Sequence, residues 1–202
     1  MHHNAIPALA LFKEMERRFH EELDSYSRDQ KDRMHADCYA AISKYLGPVN
    51  YSLVDTCIRF PIVEVETNGS IDGPHVKELF NYVSQINCSA KLANSGMPLS
   101  MRVRRQALDL IMSHPNHWWK FVVSDDKDWD EIMEDYAHVF GPEDSNEYRH
   151  LRERSRIILM PAGSSTPELK ETCQKTWEMA TKHNVRYCDR YQVRVWEMAT
   201  GV

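Results

Sequence analysis

The sequence lacks the closely spaced cysteines that hold iron–sulfur clusters. Its five cysteines are widely scattered, with no CxxC or CxxxC among them: Cys38, Cys57, Cys88, Cys173 and Cys188. An odd, scattered set indicates reduced thiols in a cytoplasmic protein. It also argues against a cluster held by this chain alone, because such clusters need neighbouring thiolates. We expect these thiols to be buried and inert.

Long apolar runs and dense basic runs are absent as well. No stretch approaches the roughly 20 apolar residues of a membrane span, and the polar first residues do not form a secretory signal. The net charge of −5, without a dense lysine and arginine run, excludes a large phosphate-tracking surface and nucleic acid as an expected partner. A local basic site is left open where Arg102, Arg104 and Arg105 cluster.

What is present is an alternation of helical and extended patterns. The 202 residues, 42% of them hydrophobic and 27% charged, suffice for one sizeable core in a soluble globular protein. Strands are predicted at 61–66, at a segment ending at 87–89, and at 117–124, 156–161 and 191–196. Helices are predicted at 1–29, 31–46, from 74 onwards, and at 98–112, 125–140, 143–154 and 166–184. This order predicts one α/β domain over residues 1–202, an incomplete parallel (β/α) barrel of about five strands with outer helices, in which residues 30–60 are an insertion.

Two of the predicted strands carry polar side chains on one face. Glu64 and Glu66 alternate with valines, and Gln85, Asn87 and Ser89 share one side of the next strand. Strands of a parallel sheet normally read as continuous apolar runs, and carboxylates on a buried face are costly. We therefore expect one apolar face against helices and one polar face that lines a cavity at the carboxyl ends of the strands.

The charged residues of this region have two interpretations. Glu66 and Lys91 either form a buried ion pair or are placed by a ligand site, and their position at strand ends favours the ligand site. Lys120, in the middle of the third strand, either pairs with Glu64 or belongs to the site. Ser124-Asp125 is predicted to cap a helix rather than to supply a nucleophile.

Five segments at successive strand ends resemble the C-terminal two-thirds of the 7-carboxy-7-deazaguanine synthase family. The segments are VEVETNGS, INCSAKLANSG, WWKFVVSD, RIILMPAG and RYQVRVWEMATGV, and the resemblance covers about residues 1–29 and 61–202. It implies a fold of the radical S-adenosylmethionine type and a lyase of queuosine biosynthesis. That enzyme converts 6-carboxy-5,6,7,8-tetrahydropterin, its small-molecule substrate, to 7-carboxy-7-deazaguanine. The family uses S-adenosylmethionine, a 4Fe–4S cluster and Mg²⁺ as cofactors.

The resemblance also implies roles for individual residues. The family's Glu-Thr-Asn-Gly turn matches residues 66–69, and its Ser-Pro-Lys turn matches residues 89–91, with alanine in place of proline. The cofactor-binding residues implied in this way are Glu66, Thr67, Asn68, Ser89, Lys91 and Met160. The substrate-binding residues implied are Lys91, Asn94, Arg190 and Gln192, the last at a position where a histidine is expected.

Two motifs of the family are not in the sequence, the CxxxCxxC cluster motif and a Gly-Gly-Glu-Pro turn. No metal ligand is therefore assigned, and the chain is interpreted as a family member without its first two strands. It would be a truncated phage or bacterial product, half of a split enzyme, or an inactive remnant that acts as a binding or regulatory module. The edge of the strand at 61–66 would then be covered by residues 30–60, by a second copy in a homodimer, or by a complementary N-terminal half.

Overall fold

The computed structural model describes residues 63–196 and, before them, residues 10, 11, 13, 14, 17, 18, 21, 24–33 and 36. The chain divides into two compact units, Met1–Val63 with Glu78–Val83, and Glu64–Lys77 with Ser84–Val202. The predicted end of the insertion, the start of the first predicted strand and the C-terminal tail lie outside the described residues. The prediction of a single domain stays a prediction.

In the first unit, two helical segments meet at a serine cap. The described residues between 10 and 25 are helical, as are residues 28–33, and the chain leaves the helix at Tyr26 and Ser27. The Gln30 N–H donates to Ser27 Oγ at 3.3 Å, and the Ser27 N–H donates to Gln30 Oε1 at 2.8 Å. This reciprocal pair is a capping box, which fixes the start of the second helix. The predicted boundary between residues 29 and 31 was therefore wrong by a few residues.

The second unit is built on a five-stranded parallel sheet in the order β1-β2-β3-β4-β5. The strands are β1 Glu64–Thr67, β2 Gln85–Ser89, β3 His117–Val123, β4 Ile157–Pro161 and β5 Arg186–Tyr187. Each strand lies beside its predecessor, so the right-handed crossovers typical of parallel sheets place the helices on one face, as they do in barrels. Within the described strands the sheet is open, with β1 and β5 at its edges. The parallel α/β architecture is confirmed, and the barrel is not.

Eight α-helices of the described part of this chain lie at residue 74 or beyond. They are α1 Pro74–Leu79, α2 Leu99–Arg102, α3 Arg105–Ser113, α4 Asp126–Asp135, α5 Ala137–Phe140, α6 Tyr148–Arg154, α7 Thr166–Lys182 and α8 Tyr191–Trp196. Short 3-10 turns occupy Phe80–Tyr82 and Ala93–Ser95. None of the helices described is long and apolar enough to cross a membrane.

The two faces of the sheet differ in burial, as the sequence predicts. Trp119 and Phe121 of β3 are fully buried, and both rings pack edge-on against Phe140 of α5, with centroids 5.8 and 5.9 Å away. On the opposite face Glu64 and Glu66 are exposed. The helices thus seal one face, and water reaches the polar face at β1.

The predicted strand at 191–196 is wrong, because these residues form α8. The fifth strand comes earlier, at Arg186–Tyr187. Asn184 adopts a left-handed conformation (φ 52°) that ends α7 and turns the chain directly onto the edge of β4. Val193 is the buried residue of α8, so the alternation in YQVRVW does not mark a strand with one inward face.

Two long predicted helices are each divided in the structure. The helix predicted at 98–112 is interrupted at Val103 (φ −113°, ψ 81°), between α2 and α3. The helix predicted at 125–140 is interrupted at Tyr136 (φ −103°, ψ 23°), between α4 and α5. Hydrophobic periodicity carries across both breaks, so it does not reveal them.

A buried carboxylate is held by hydrogen bonds at the amino end of β3. His117 and Glu153 are both fully buried, and His117 Nε2 donates to Glu153 Oε2 at 2.5 Å. Trp119 Nε1 donates to the same oxygen at 2.9 Å, and Arg152 Nη2 donates to the other at 2.8 Å. Burial opposes ionisation of Glu153, but the hydrogen bonds from His117, Trp119 and Arg152 outweigh it and lower the pKa of this carboxyl to about 2.

We expect the hydrogen bonds of Glu153 to make the free energy of unfolding depend on pH. The pKa of Glu153 is about 2 in the folded chain against 4.5 for a free carboxyl, so its contribution is complete above about pH 4.5 and is lost as the pH falls towards 2. The free energy of unfolding in urea, measured across this range, should fall more steeply for the wild type than for Glu153→Gln. The exposed Glu171→Gln should keep the wild-type slope. Equal slopes for the wild type and Glu153→Gln would contradict the assignment.

Candidate functional site

A cavity of about 320 Å³ opens at the carboxyl ends of β2, β3 and β4. Its wall is formed by residues from the three loops and from β3, namely Ala90, Lys91, Leu92, Asn94, Ser95, Val122, Ser124 and Ala162. Ligands of parallel α/β sheets bind at this end of the strands, because loops of variable sequence meet there on a fixed scaffold. The cavity therefore lies at the end of the sheet where the sequence predicts one.

The wall of the cavity is electrostatically one-sided. Lys91 is its charged residue, and Asn94, Ser95 and Ser124 are its polar ones. Lys91 Nζ donates to Ser89 Oγ at 3.3 Å, a neutral partner that leaves the ammonium charge uncompensated at that contact. A carboxylate or phosphate oxygen would complete the hydrogen bonding of this ammonium group.

The loop after β2 is held in place from its main chain. Tyr136 Oη donates to the Lys91 carbonyl at 2.7 Å, and burial raises the pKa of this phenol, which keeps it a donor. The Ala93 N–H donates to Glu131 Oε1 at 2.7 Å. Asn94 Nδ2 donates to a main-chain carbonyl of β3 at 3.0 Å. Lys91 and Asn94 therefore sit on a loop whose path is fixed at three points.

The turn after β3 begins α4 with a capping box. Asp125 Oδ1 accepts from the Lys127 N–H at 2.9 Å, and Asp128 Oδ2 accepts from the Asp125 N–H at 3.4 Å. Asp128 Oδ2 also accepts from the Ser124 N–H at 2.5 Å. The prediction that Ser124-Asp125 caps a helix is confirmed. The Asp125 carboxylate thus binds an amide in the first turn of α4, and the Asp128 carboxylate binds the two amides just before the helix.

The turn after β1 uses its polar side chains internally. Thr67 Oγ1 accepts from the Gly69 N–H at 3.2 Å, and Asn68 Oδ1 accepts from the Ser70 N–H at 3.1 Å and from Ser70 Oγ at 2.6 Å. Gly69 is buried in a left-handed conformation (φ 72°). A Cβ there would lie 3.1 Å from Cys88 Sγ, so the turn needs glycine for both its backbone and its packing.

The charged residues of the open face form a different ion pair from those that the sequence suggests. Lys120 forms an ion pair with Glu66, reaching across β2. The alternative pairs, Lys120 with Glu64 and Glu66 with Lys91, do not occur in the structure. The Glu66 side chain is 66% exposed, so this contact adds little to stability.

The structure brings some of the predicted site residues together and separates others. Lys91 and Asn94 share the cavity wall. The others are not among the residues that line it: Glu66, Thr67, Asn68, Ser89 and Met160 lie on or directly after β1, β2 and β4, Arg190 lies before α8, and Gln192 lies on α8. Arg190 Nη1 donates to the Gly163 carbonyl at 2.5 Å, which ties it to the loop after β4. Gln192 is exposed on a helix and not on the strand that the sequence predicts.

Two of the three arginines at the local basic site left open by the sequence pair with acidic side chains. Arg102 is buried, and its Nη1 pairs with Glu131 and with Asp135, each at 2.6 Å. Arg104 pairs with Asp72 at 3.1 Å. The charges of both arginines are thus engaged by carboxylates of the same chain.

The described residues do not fit a metal cluster. Among them no group of three or more histidine, cysteine or acidic side chains could hold a metal ion. Cys88 is fully buried, and burial raises the pKa of its thiol to about 12, so it stays protonated. Cys173 is partly buried and Cys188 is exposed, so the expectation of uniformly buried thiols is wrong for these two, while Cys38 and Cys57 lie outside the described residues.

We expect alanine at Gly69 to destabilise the chain more than alanine at Gly96. Both glycines have a φ of 72°, but a Cβ at Gly96 would meet nothing within 4 Å. The left-handed conformation alone costs about 1–2 kcal/mol, so Gly96→Ala measures that cost and Gly69→Ala adds the contacts with Cys88 and Leu108. Unfolding in urea compares the two variants. A loss at Gly96 equal to that at Gly69 would show that packing beneath the turn is unimportant.

The chain is similar to the 7-carboxy-7-deazaguanine synthase of Pyrobaculum aerophilum, with 31% identity over 139 residues that cover 69% of this chain and 54% of that protein. The aligned segment therefore spans about half the length of that relative. No family model matches the chain, and no solved structure matches it significantly. The described structure, an α/β chain with a parallel sheet, is consistent with a radical S-adenosylmethionine fold, and the similarity supports the resemblance at the level of the family.

Proposed function

We propose that this chain belongs to the 7-carboxy-7-deazaguanine synthase family and that its cavity binds S-adenosylmethionine or the family's substrate, 6-carboxy-5,6,7,8-tetrahydropterin. The observation that carries the proposal is the position of Lys91 and Asn94, which share a cavity at the carboxyl ends of β2–β4. The similarity to the Pyrobaculum aerophilum protein supports the same assignment independently of the geometry.

The chemistry of the wall suits these two molecules. Both carry a carboxylate, and the Lys91 ammonium offers a charged donor without a carboxylate among the residues that line the cavity. Both also carry hydrogen-bonding heterocycles, for which the amide of Asn94 and the hydroxyls of Ser95 and Ser124 are suitable partners. Lys91 would hold the carboxylate, and the fixed loop would orient the ring.

The described residues supply binding groups but no ligands for the family's 4Fe–4S cluster. When bound, such a cluster reduces S-adenosylmethionine and so starts the radical chemistry. We assign no step of that chemistry to this chain. The proposal therefore has two parts. The first is ligand binding, which the cavity supports, and the second is conversion of the substrate to 7-carboxy-7-deazaguanine, which requires a cluster. A chain that binds the ligand without converting the substrate would be a binding or regulatory module.

The binding part is tested with one lysine and a matched control. Lys91→Met should weaken the affinity for S-adenosylmethionine or for 6-carboxy-5,6,7,8-tetrahydropterin by about tenfold or more, because a charged hydrogen bond to the carboxylate is lost. Lys170→Met removes an exposed lysine of α7 and should leave the affinity unchanged. Isothermal titration calorimetry measures both. If the wild type binds neither molecule, the proposal is wrong, and equal losses in the two variants would remove Lys91 from the site.

The conversion part is tested by anaerobic reconstitution with iron and sulfide. A brown chromophore, together with formation of 5′-deoxyadenosine and 7-carboxy-7-deazaguanine, would show that the chain is catalytic by itself. We expect a colourless protein that produces neither compound, because the sequence contains no CxxxCxxC motif. The products are followed by liquid chromatography and mass spectrometry.

A further inference from the structure

One face of α4 carries a row of carboxylates directed at the loops around the cavity. Asp128, Glu131 and Asp135 are three and four residues apart, a spacing that places them on the same side of a helix. Asp128 accepts from the Ser124 N–H at 2.5 Å, and Glu131 accepts from the Ala93 N–H at 2.7 Å. Two of the three carboxylates therefore hold the main chain of loops that line the cavity.

Arg102 joins the row at its carboxyl end. Its Nη1 lies 2.6 Å from Glu131 Oε1 and 2.6 Å from Asp135 Oδ2, and its side chain is only 8% exposed. Glu131 Oε1 also accepts from the Ala93 N–H, so the same oxygen atom contacts both the guanidinium and the loop amide. Without the arginine, the two largely buried carboxylates would repel each other, and Glu131 would lose the partner that fixes its position.

We propose that Arg102 is a positioning residue of the cavity. It fixes Glu131, Glu131 fixes the main chain at Ala93, and that main chain sets Lys91 and Asn94 on the wall. This inference goes beyond the proposed function. Only the expected effect of Arg102 on ligand binding rests on the proposed function. Lys91 is two residues before the Ala93 amide that the network holds, and Asn94 is one residue after it, so a shift at Ala93 moves both.

The contacts of Arg102 indicate which substitutions distinguish the loss of its charge from a general loss of stability. Both carboxylates contact the single nitrogen Nη1, and the buried Nε has no hydrogen-bond partner among the described residues. A lysine ammonium can therefore replace part of the interaction, whereas Arg102→Met removes it at similar length. Ile157→Val is the matched control, because it trims a fully buried side chain at the amino end of β4, away from the cavity.

The first measurement needs no ligand. Exchange of the Ala93 amide hydrogen, followed by nuclear magnetic resonance, should be about tenfold faster in Arg102→Met than in the wild type and close to the wild type in Arg102→Lys. Ile157→Val should leave this exchange unchanged, although it lowers the free energy of unfolding. Unchanged exchange in Arg102→Met, or equal acceleration in Ile157→Val, would overturn the proposal.

The second measurement is the affinity for S-adenosylmethionine. We expect a loss of about tenfold in Arg102→Met, a smaller loss in Arg102→Lys and none in Ile157→Val, because small displacements of ligand groups are costly. An Arg102→Met variant that binds as the wild type does would overturn the positioning role. If the wild type does not bind, the proposed ligand falls, and the amide exchange alone decides whether Arg102 sets the loop.

Discussion

The winding of the parallel sheet is the constraint on which the remaining features depend. Each strand is added beside its predecessor, so the crossover helices collect on one face and bury Trp119 and Phe121 against Phe140. The other face keeps access to water, and it can therefore carry the Glu66–Lys120 ion pair, which a sheet covered on both faces would bury at high cost. Because the strands are parallel, their carboxyl ends also lie at the same edge of the sheet, where the polar loops follow them.

Helix α4 connects this scaffold to the cavity. Its hydrophobic side packs into the core, with Trp129 and Ile132 buried, while its carboxylates bind the amides of two loops. Tyr136, at the break between α4 and α5, adds a hydrogen bond from its phenol to the Lys91 carbonyl. The acidic character of this helix is thus used inside the molecule, to hold backbone that would otherwise be free to move.

Binding and radical chemistry make separate demands on a chain of this kind. Binding needs a shaped cavity and a charged donor, and the loops after β2–β4 supply both. Starting the chemistry needs closely spaced thiolates, whereas the described cysteines are a buried thiol in β2, one in α7 and one directly after β5.

The sequence by itself determined the local features, because they depend on neighbours along the chain. Alternation predicted four of the five strands and the polar face at Glu64 and Glu66, and the polar residues after β3 predicted the helix cap at Asp125. Only the tertiary structure decided which charges meet. The contacts of Arg102 join residues about thirty positions apart, and the partner of Lys120 lies 54 positions away, so no pattern of period two or 3.6 records them. The strand predicted at 191–196 was wrong for the same reason. The edge of β4 pairs with Arg186–Tyr187, and residues 191–196 form a helix in which Val193 is the buried residue.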